Sequence, residues 1–179
     1  MEIKERIGFK TEWRIDKFKD PNNLTAEALS KGISSEEAIA LAGKNFLGSE
    51  VFKGNLGLNE GLAELIDVIC GLGTPTKWDN SNARLGVGDS STTADPSQTS
   101  LQGTNKTFKA MDSGYPQRSS QTAEWRSTFG SGDANYAWNE FTVVNAADDT
   151  GKNLNRKVES KGTKVSGETW VLSVKVTFA

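Results

Sequence analysis

The last stretch of the chain, Glu168–Ala179, constrains the fold more than any other part of the sequence. Apolar side chains occupy every second position, and polar side chains fill most positions between them, with Val171 as the exception. A period of two is typical of a β-strand with one buried and one solvated face. At about 3.3 Å per residue this strand is roughly 35 Å long, so it crosses a small domain and needs partner strands. Its apolar positions are Trp170, Leu172, Val174, Val176 and Phe178.

The residues from Asn82 onward supply those partner strands. Short alternating runs are separated by turn residues about every 8 to 12 positions, which is typical of an antiparallel β-sandwich or barrel. The run 137–144 is apolar on both faces, which predicts a strand covered on both sides. The other predicted strands are 83–87, 106–111, 121–129 and 153–160.

Two regions have helical periodicity instead. Residues 24–43 predict two short helices, with a capping box formed by Ser34 and Glu37 and a stop at Gly43. Leu and Ile residues at spacings of three and four predict one longer helix, about 58–72, packed on the sandwich. Asn55 or Asn59 is its expected cap, Gly71 or Gly73 its expected end, and Cys70 a small buried residue; its apolar stripe is Leu58, Leu62, Leu65, Ile66 and Ile69.

The predicted fold is therefore mainly β. An N-terminal region with short helices covers residues 1–54, and a helix plus β-sandwich body covers residues 55–179. Residues 1–20 mix charged with apolar side chains, and we interpret them as a strand or an extended arm that adds to a neighbouring subunit's sheet. The predicted partner-binding residues are Ile7, Phe9, Trp13, Ile15 and Phe18, together with Trp138.

Composition excludes several functional classes. The net charge of −2 provides no basic field for nucleic acid, and one cysteine allows no intrachain disulfide. No signal peptide and no apolar run long enough to span a membrane are visible. The chain has no histidine, which removes the commonest general base and metal ligand. We therefore expect a non-enzymatic protein with no catalytic residues, no cofactor and no metal.

Loop residues offer two weak candidates for a ligand site. The segment Gly86–Ser91 lacks the spacing of a phosphate-binding loop and is better interpreted as a strand end entering a turn. The pairs Asp89 with Asp95 and Asp148 with Asp149 carry oxygen ligands for calcium, yet they lack the spacing of a calcium loop. Turn formation by their side chains explains them more simply.

Strand residues offer two more candidates for a functional site. Glu124 and Glu140 lie on neighbouring predicted strands, where a carboxylate pair serves glycoside hydrolysis and a cross-strand ion pair serves the fold. We favour the ion pair. Trp138 is out of phase with Phe141 and Val143, so it is a second-face core residue, a ligand platform or an interface anchor. Exposed tryptophans would form a sugar-stacking platform; the candidates are Trp78, Trp125, Trp138 and Trp170.

Several motifs follow one another within residues 55–179. They are Asn82–Ser91, Gln98–Gly103, Lys109–Asp112, Gly114–Gln117, Thr128–Asn135, Ala137–Glu140, Asn153–Val158 and Gly162–Lys164. This set resembles a family of structural proteins encoded by tailed bacteriophages and prophages. The resemblance implies a virion component, made in the host bacterial cytoplasm, with no catalytic residues.

The resemblance leaves the position in the particle open. We expect a capsid decoration (cement) protein that binds the major capsid protein or other virion proteins and stabilises the head shell. A homo-oligomer, specifically a trimer at a capsid threefold axis, would suit that role, because homo-oligomers tend to close. The alternative is a tail, baseplate or fibre-associated protein that contacts host glycans through Trp138 or the polar loop 89–104. A cellular carbohydrate-binding module is a third class.

Overall fold

A computed structural model describes residues 8–178 of the chain. Two antiparallel five-stranded sheets enclose one main hydrophobic core, so the predicted mainly β fold is confirmed. Each sheet keeps its own edge strands, which makes the fold a β-sandwich rather than a barrel. In chain order the strands are β1 (Phe9–Lys19), β2 (Phe46–Lys53), β3 (Leu56–Gly57), β4 (Arg84–Gly88), β5 (Lys106–Ala110), β6 (Gln117–Ser119), β7 (Thr122–Phe129), β8 (Glu140–Val144), β9 (Asn155–Val158) and β10 (Glu168–Phe178).

The first sheet has the order β2-β1-β10-β7-β6, and the second has the order β3-β9-β8-β4-β5. The helices are α1 (Leu24–Ser30), α2 (Ser35–Ala42) and α3 (Asn59–Cys70), with a short 3-10 turn at Gly43–Asn45. The inner faces of the two sheets interdigitate through aromatic residues. Trp13 of β1 stacks on Phe52 of β2, and both rings contact Phe141 of β8 across the core.

The last strand occupies the centre of the first sheet, as its length requires. It pairs with β1 from Phe9↔Phe178 to Lys19↔Glu168 and with β7 on its other side. The predicted alternation is confirmed on the inner face from Trp170 to Val176, whereas Phe178 is 38% exposed. The outer face, however, is solvated only toward its end: Val171 is buried beneath α1 and α2, whereas Lys175 is exposed. A period of two distinguishes the faces of a strand but not what covers each face.

The N-terminal region is part of the sandwich. Of the two alternatives for residues 1–20, the strand is observed over residues 9–19, and it lies in the interior of the first sheet. The predicted division at residues 54/55 is not visible as separate packing, because β1 and β2 belong to the same sheet as β10. The two short helices are present, and Ser34 and Glu37 form the predicted capping box.

Helix α3 confirms one prediction and corrects three. It lies within the predicted range and ends at Gly71, whose φ of 66° is left-handed. Leu58 is the N-cap and its side chain makes no cap bond, so the predicted asparagine cap is wrong. The helix turns Ile66 and Ile69 toward water, and Cys70 is exposed rather than buried. Gly61 is the buried residue of this helix, and it lies so close to the backbone at Leu154 that an added Cβ would come within 2.5 Å of Leu154 Cα; Ile66 and Ile69 face away from this contact.

Candidate functional site

Most of the predicted partner-binding residues lie inside the molecule. Trp13, Ile15 and Phe18 have no exposed surface, because alternate positions of β1 point into the core or beneath the short helices. Side chains without exposed surface contact no partner while the fold is intact, so we assign these three to the core. Phe9 is 44% exposed and packs edge-on against Phe178. Ile7 lies outside the described residues.

Trp138 is also a core residue rather than a ligand platform or interface anchor. It is fully buried, and its ring meets Phe129 and Trp170 edge-on at centroid distances of 4.8 Å. Its Nε1 donates a hydrogen bond to the carbonyl oxygen of Ala134 at 3.0 Å. The other candidates for a sugar platform, Trp78, Trp125 and Trp170, are at most 7% exposed. The tryptophan platform therefore does not form from these residues.

The two candidate carboxylates lie in different sheets and form no catalytic pair. Glu124 lies on the outer face of β7, with its carboxylate 3.8 Å from the amine of Lys175 on β10, which is the predicted cross-strand ion pair. Glu140 is fully buried in the second sheet, where its carboxylate accepts a hydrogen bond from Arg156 Nε at 2.8 Å. Glu140 therefore also forms a cross-strand ion pair, and this pair is buried because Gln102 and Gly103 cover it.

The motifs of the second sheet build a buried polar network around Glu140. Its carboxylate also accepts hydrogen bonds from the backbone N–H groups of Gln102 at 2.9 Å and Gly103 at 2.6 Å. A Cβ atom on Gly88 would lie 2.9 Å from Glu140 Cδ, so this glycine leaves room for the carboxylate. The glycine-rich segment 86–91 therefore has a structural role, as expected for a strand end.

The loop aspartates stabilise their own turns. Asp95 accepts hydrogen bonds from Ser97, Asp148 from Thr150, and these bonds lower the pKa of both carboxyl groups. Asp149 instead pairs with Lys106. Among residues 8–178, no three His, Cys, Asp or Glu side chains cluster closely enough to hold a metal ion.

The outer side of α3 presents apolar side chains to water. Ile66, Ile69 and the following Leu72 are 56%, 72% and 55% exposed. We call these three residues the α3 outer face. Exposed apolar patches on soluble proteins mark surfaces that another molecule covers. Sequence periodicity indicated Ile66 and Ile69 but assigned them to the packed side of the helix.

A recessed polar surface lies on the outer face of the first sheet, and we call it the outer cleft. Its volume is about 420 Å³. The floor is made by side chains of β1, β10 and β7, one wall by residues 32–36 around the start of α2, and the other wall by Tyr115 and Gln117. The lining residues are Glu12, Arg14, Gly32, Ser34, Ser35, Glu36, Val51, Tyr115, Gln117, Glu124, Ser173 and Lys175.

The outer cleft brings both signs of charge together. Arg14 donates hydrogen bonds to Asp16 at 2.9 Å and to Glu36 at 3.3 Å, which joins the floor to one wall. Burial raises the pKa of Glu124, an effect that the charge of Lys175 partly offsets. Burial also raises the pKa of the Tyr115 phenol.

One buried arginine fixes both walls of the outer cleft. Arg126 Nη2 donates hydrogen bonds to the carbonyl oxygens of Leu29 and Ile33, each at 2.9 Å, and so holds α1 and the following loop on the sheet. Its Nε donates to Asp112 at 2.8 Å. The ring of Tyr115 lies over the same guanidinium, 4.4 Å from Cζ to the ring centroid. Sequence reasoning missed this arrangement, because its residues are far apart in the chain.

Comparison of the chain with protein-family models, curated proteins and solved structures gave no match. Within the part of the chain that the structure describes, no helix is both long enough and apolar enough to cross a membrane.

Proposed function

We propose that this chain is a non-enzymatic structural component of a tailed-bacteriophage virion, and that it decorates the capsid by binding the major capsid protein. The α3 outer face carries this proposal. Its exposed isoleucines project from a helix that lies against the sandwich at Gly61. Burying apolar surface of this kind contributes about 25 cal/mol per Å², which is the main driving force of protein association.

The buried polar residues support a structural role of the protein rather than a catalytic one. Glu140 was a candidate catalytic carboxylate from sequence. Its carboxylate accepts hydrogen bonds from Arg156 and from two backbone N–H groups. The motif resemblance over residues 55–179 supplies the virion context. In this proposal the α3 outer face replaces the N-terminal strand as the partner surface, since Trp13 and Ile15 are core residues. A closed homo-oligomer, with a trimer as our first expectation, remains part of the proposal.

Decoration would stabilise the head shell by mass action. A protein that binds the assembled lattice and not free capsid subunits shifts the equilibrium toward the lattice by RT ln(1 + [L]/Kd). Particles that carry the protein should therefore melt at a higher temperature than particles that lack it. Equal melting temperatures would contradict the proposal.

The matched test uses two variants of the full chain added to particles that lack the protein. I66K/I69K places two charges on the α3 outer face, whereas V165K changes a residue elsewhere that is 50% exposed. We expect the wild type and V165K to raise the melting temperature of the shell and I66K/I69K to leave it unchanged. Binding of I66K/I69K equal to wild type would remove the α3 outer face from the proposal.

The outer cleft favours a second candidate, a tail, baseplate or fibre-associated protein that contacts host glycans. Such a module needs a recessed polar surface, and the outer cleft is one. Cryo-electron microscopy of the intact particle separates the two placements. Density on the head lattice, with α3 against the capsid protein, supports decoration; density on the tail supports the second candidate.

A further inference from the structure

We infer that the outer cleft is a saccharide-binding site. This inference concerns a surface other than the α3 outer face and does not rest on the virion assignment. The cleft of about 420 Å³ lies within the range of roughly 300–1,000 Å³ that is usual for small-ligand sites. Its lining is contributed by six separate parts of the chain. Arg14 joins the floor to Glu36 of one wall, and Arg126 holds α1 beside it.

The polar groups of the cleft are matched to a ligand that both donates and accepts hydrogen bonds. Within residues 8–178, the side chains of Glu12, Gln117 and Ser173 make no hydrogen bond to the protein, so they are free for a ligand. A carboxylate only accepts, an amide does both, and a hydroxyl does both. Lys175 adds a donor beside Glu124. Sugar hydroxyl groups satisfy all of these side chains at once.

Charge argues against other small ligands. An anion would lie near the carboxylates of Glu12, Glu36 and Glu124, and a cation would lie near Arg14 and Lys175. An apolar ligand would remove these charged groups from water without replacing their hydrogen bonds, which is unfavourable. A neutral polyhydroxyl ligand is repelled neither by the carboxylates nor by the cations, and it replaces the hydrogen bonds that the charged groups lose to water. The ring of Tyr115 adds an apolar surface for the C–H face of a sugar.

The floor of the cleft also distinguishes a saccharide from an extended peptide. Peptides are commonly bound as an added strand, which requires unpaired backbone groups at a sheet edge. The floor strands β1 and β10 are interior strands, paired on both sides along the cleft. These two strands present side chains only, so a ligand on the floor is recognised by side-chain hydrogen bonds, as a sugar requires; the edge strands β2 and β6 reach the cleft only at Val51 and Gln117.

The walls are already in place before a ligand binds. Arg126 is 1% exposed and holds α1, the following loop and the Tyr115 ring against the sheet. A site that needs no ordering on binding loses less conformational entropy. We therefore expect the free and bound forms of the cleft to have the same backbone.

The test probes a glycan array of neutral hexose, N-acetylhexosamine and sialylated oligosaccharides with the full chain. The strongest neutral glycan is then titrated into ¹⁵N-labelled protein and followed by NMR. We expect neutral glycans to bind, sialylated ones to bind less well, and shifts to concentrate at Tyr115, Gln117 and Ser173. No binding on the array and no shifts at millimolar sugar would overturn the inference.

A matched pair of variants locates the site. E12Q/Q117A removes two unengaged groups from the cleft, whereas E27Q/Q121A makes the same chemical changes on exposed residues outside it. Loss of hydrogen bonds that include one to a charged group predicts at least about tenfold weaker binding for E12Q/Q117A. The control should bind as wild type, and both should melt as wild type. Equal binding by E12Q/Q117A, or displacement of the glycan by a neutral peptide from a peptide library, would overturn the inference.

Discussion

Buried charged side chains hold the long loops of this protein in place. Arg126, Glu140, Arg156 and Lys164 are each at most 1% exposed. Each is surrounded by backbone carbonyl groups, backbone N–H groups or an opposite charge, and each joins segments that are distant in sequence. Removing one partner from such a site leaves an uncompensated charge, which is more costly than the intact pair is stabilising.

Glu140→Gln tests this for the second sheet. The substitution keeps the shape of the side chain but leaves Arg156 without its counter-charge, so we expect a loss of about 3–5 kcal/mol of unfolding free energy. Urea denaturation followed by fluorescence gives the value. Glu27→Gln is the control, since its pair with Lys31 is exposed and contributes at most about 0.5 kcal/mol. Similar losses in both variants would contradict the assignment.

Lys164 predicts a rise in stability with pH. Burial lowers its pKa from 10.5 to about 8, where its amine bonds the carbonyl oxygen of Gly130 and the side chain of Asn135. Between these two pH values the unfolded chain binds more protons than the folded chain, so the unfolding free energy increases with pH, by about 3 kcal/mol over the full interval. Below pH 8 the burial cost is present in full.

The measurement compares wild type with Lys164→Met between pH 7 and pH 10. We expect the unfolding free energy of the wild type to increase relative to that of Lys164→Met as the pH rises. Higher pH is avoided, because burial raises the pKa of Tyr136 to about 12 and that group lowers stability above pH 10. A difference that stays constant with pH would show that the amine titrates normally.

At the scale of elements, local patterns predicted local structure well. The alternation of β10, the capping box of α2 and the glycine end of α3 all depend on neighbouring residues, and all are observed. The wrong predictions concern which element covers a given face of a helix or strand. The stripe of α3 was assigned to the core, yet Gly61 sets the contact and leaves Ile69 exposed. A helical period identifies an apolar stripe but not the element packed against it.

Gly61→Ala should destabilise the protein even though alanine is the better helix former. An added Cβ would lie 2.5 Å from the Cα atom of Leu154, so the backbone of the helix or of residues 153–154 would have to shift. We expect a loss of about 1–3 kcal/mol from overpacking, in place of the gain of about 1 kcal/mol usual for this change in a helix. Thermal and urea denaturation measure it. Gly132→Ala, with no atom within 4 Å, is the control and should have a small effect; a stabilised Gly61→Ala protein would contradict the contact.

At the scale of the whole molecule, the first and last described strands are neighbours. This pairing joins residues about 150 to 170 positions apart, from Lys19↔Glu168 to Phe9↔Phe178, and no local pattern predicts it. The outer cleft has the same origin, because its floor combines β1, β7 and β10. Sequence reasoning therefore predicted a cross-strand ion pair for Glu124 but identified neither its partner Lys175 nor the cleft around them.

Removing β1 should prevent folding. A chain that begins at Asp20 lacks the strand between β2 and β10 and the core side chains of Trp13 and Ile15. We expect it to lack the near-ultraviolet circular dichroism of the full chain. A peptide of residues 8–19 added in trans should restore the signal, and the same peptide with W13D and I15D should not. A folded truncated chain would show that β1 is an accessory strand.

The direct pairing of Phe9 with Phe178 makes the polypeptide almost a closed loop. Which residue comes first is then a property of the gene rather than of the fold. A short linker between these two ends, with new termini opened in the exposed segment 71–77, should give a circular permutant with the same two sheets. A cargo joined directly at Phe9 or at Phe178 would emerge from the same corner of the sandwich, because these two residues are paired.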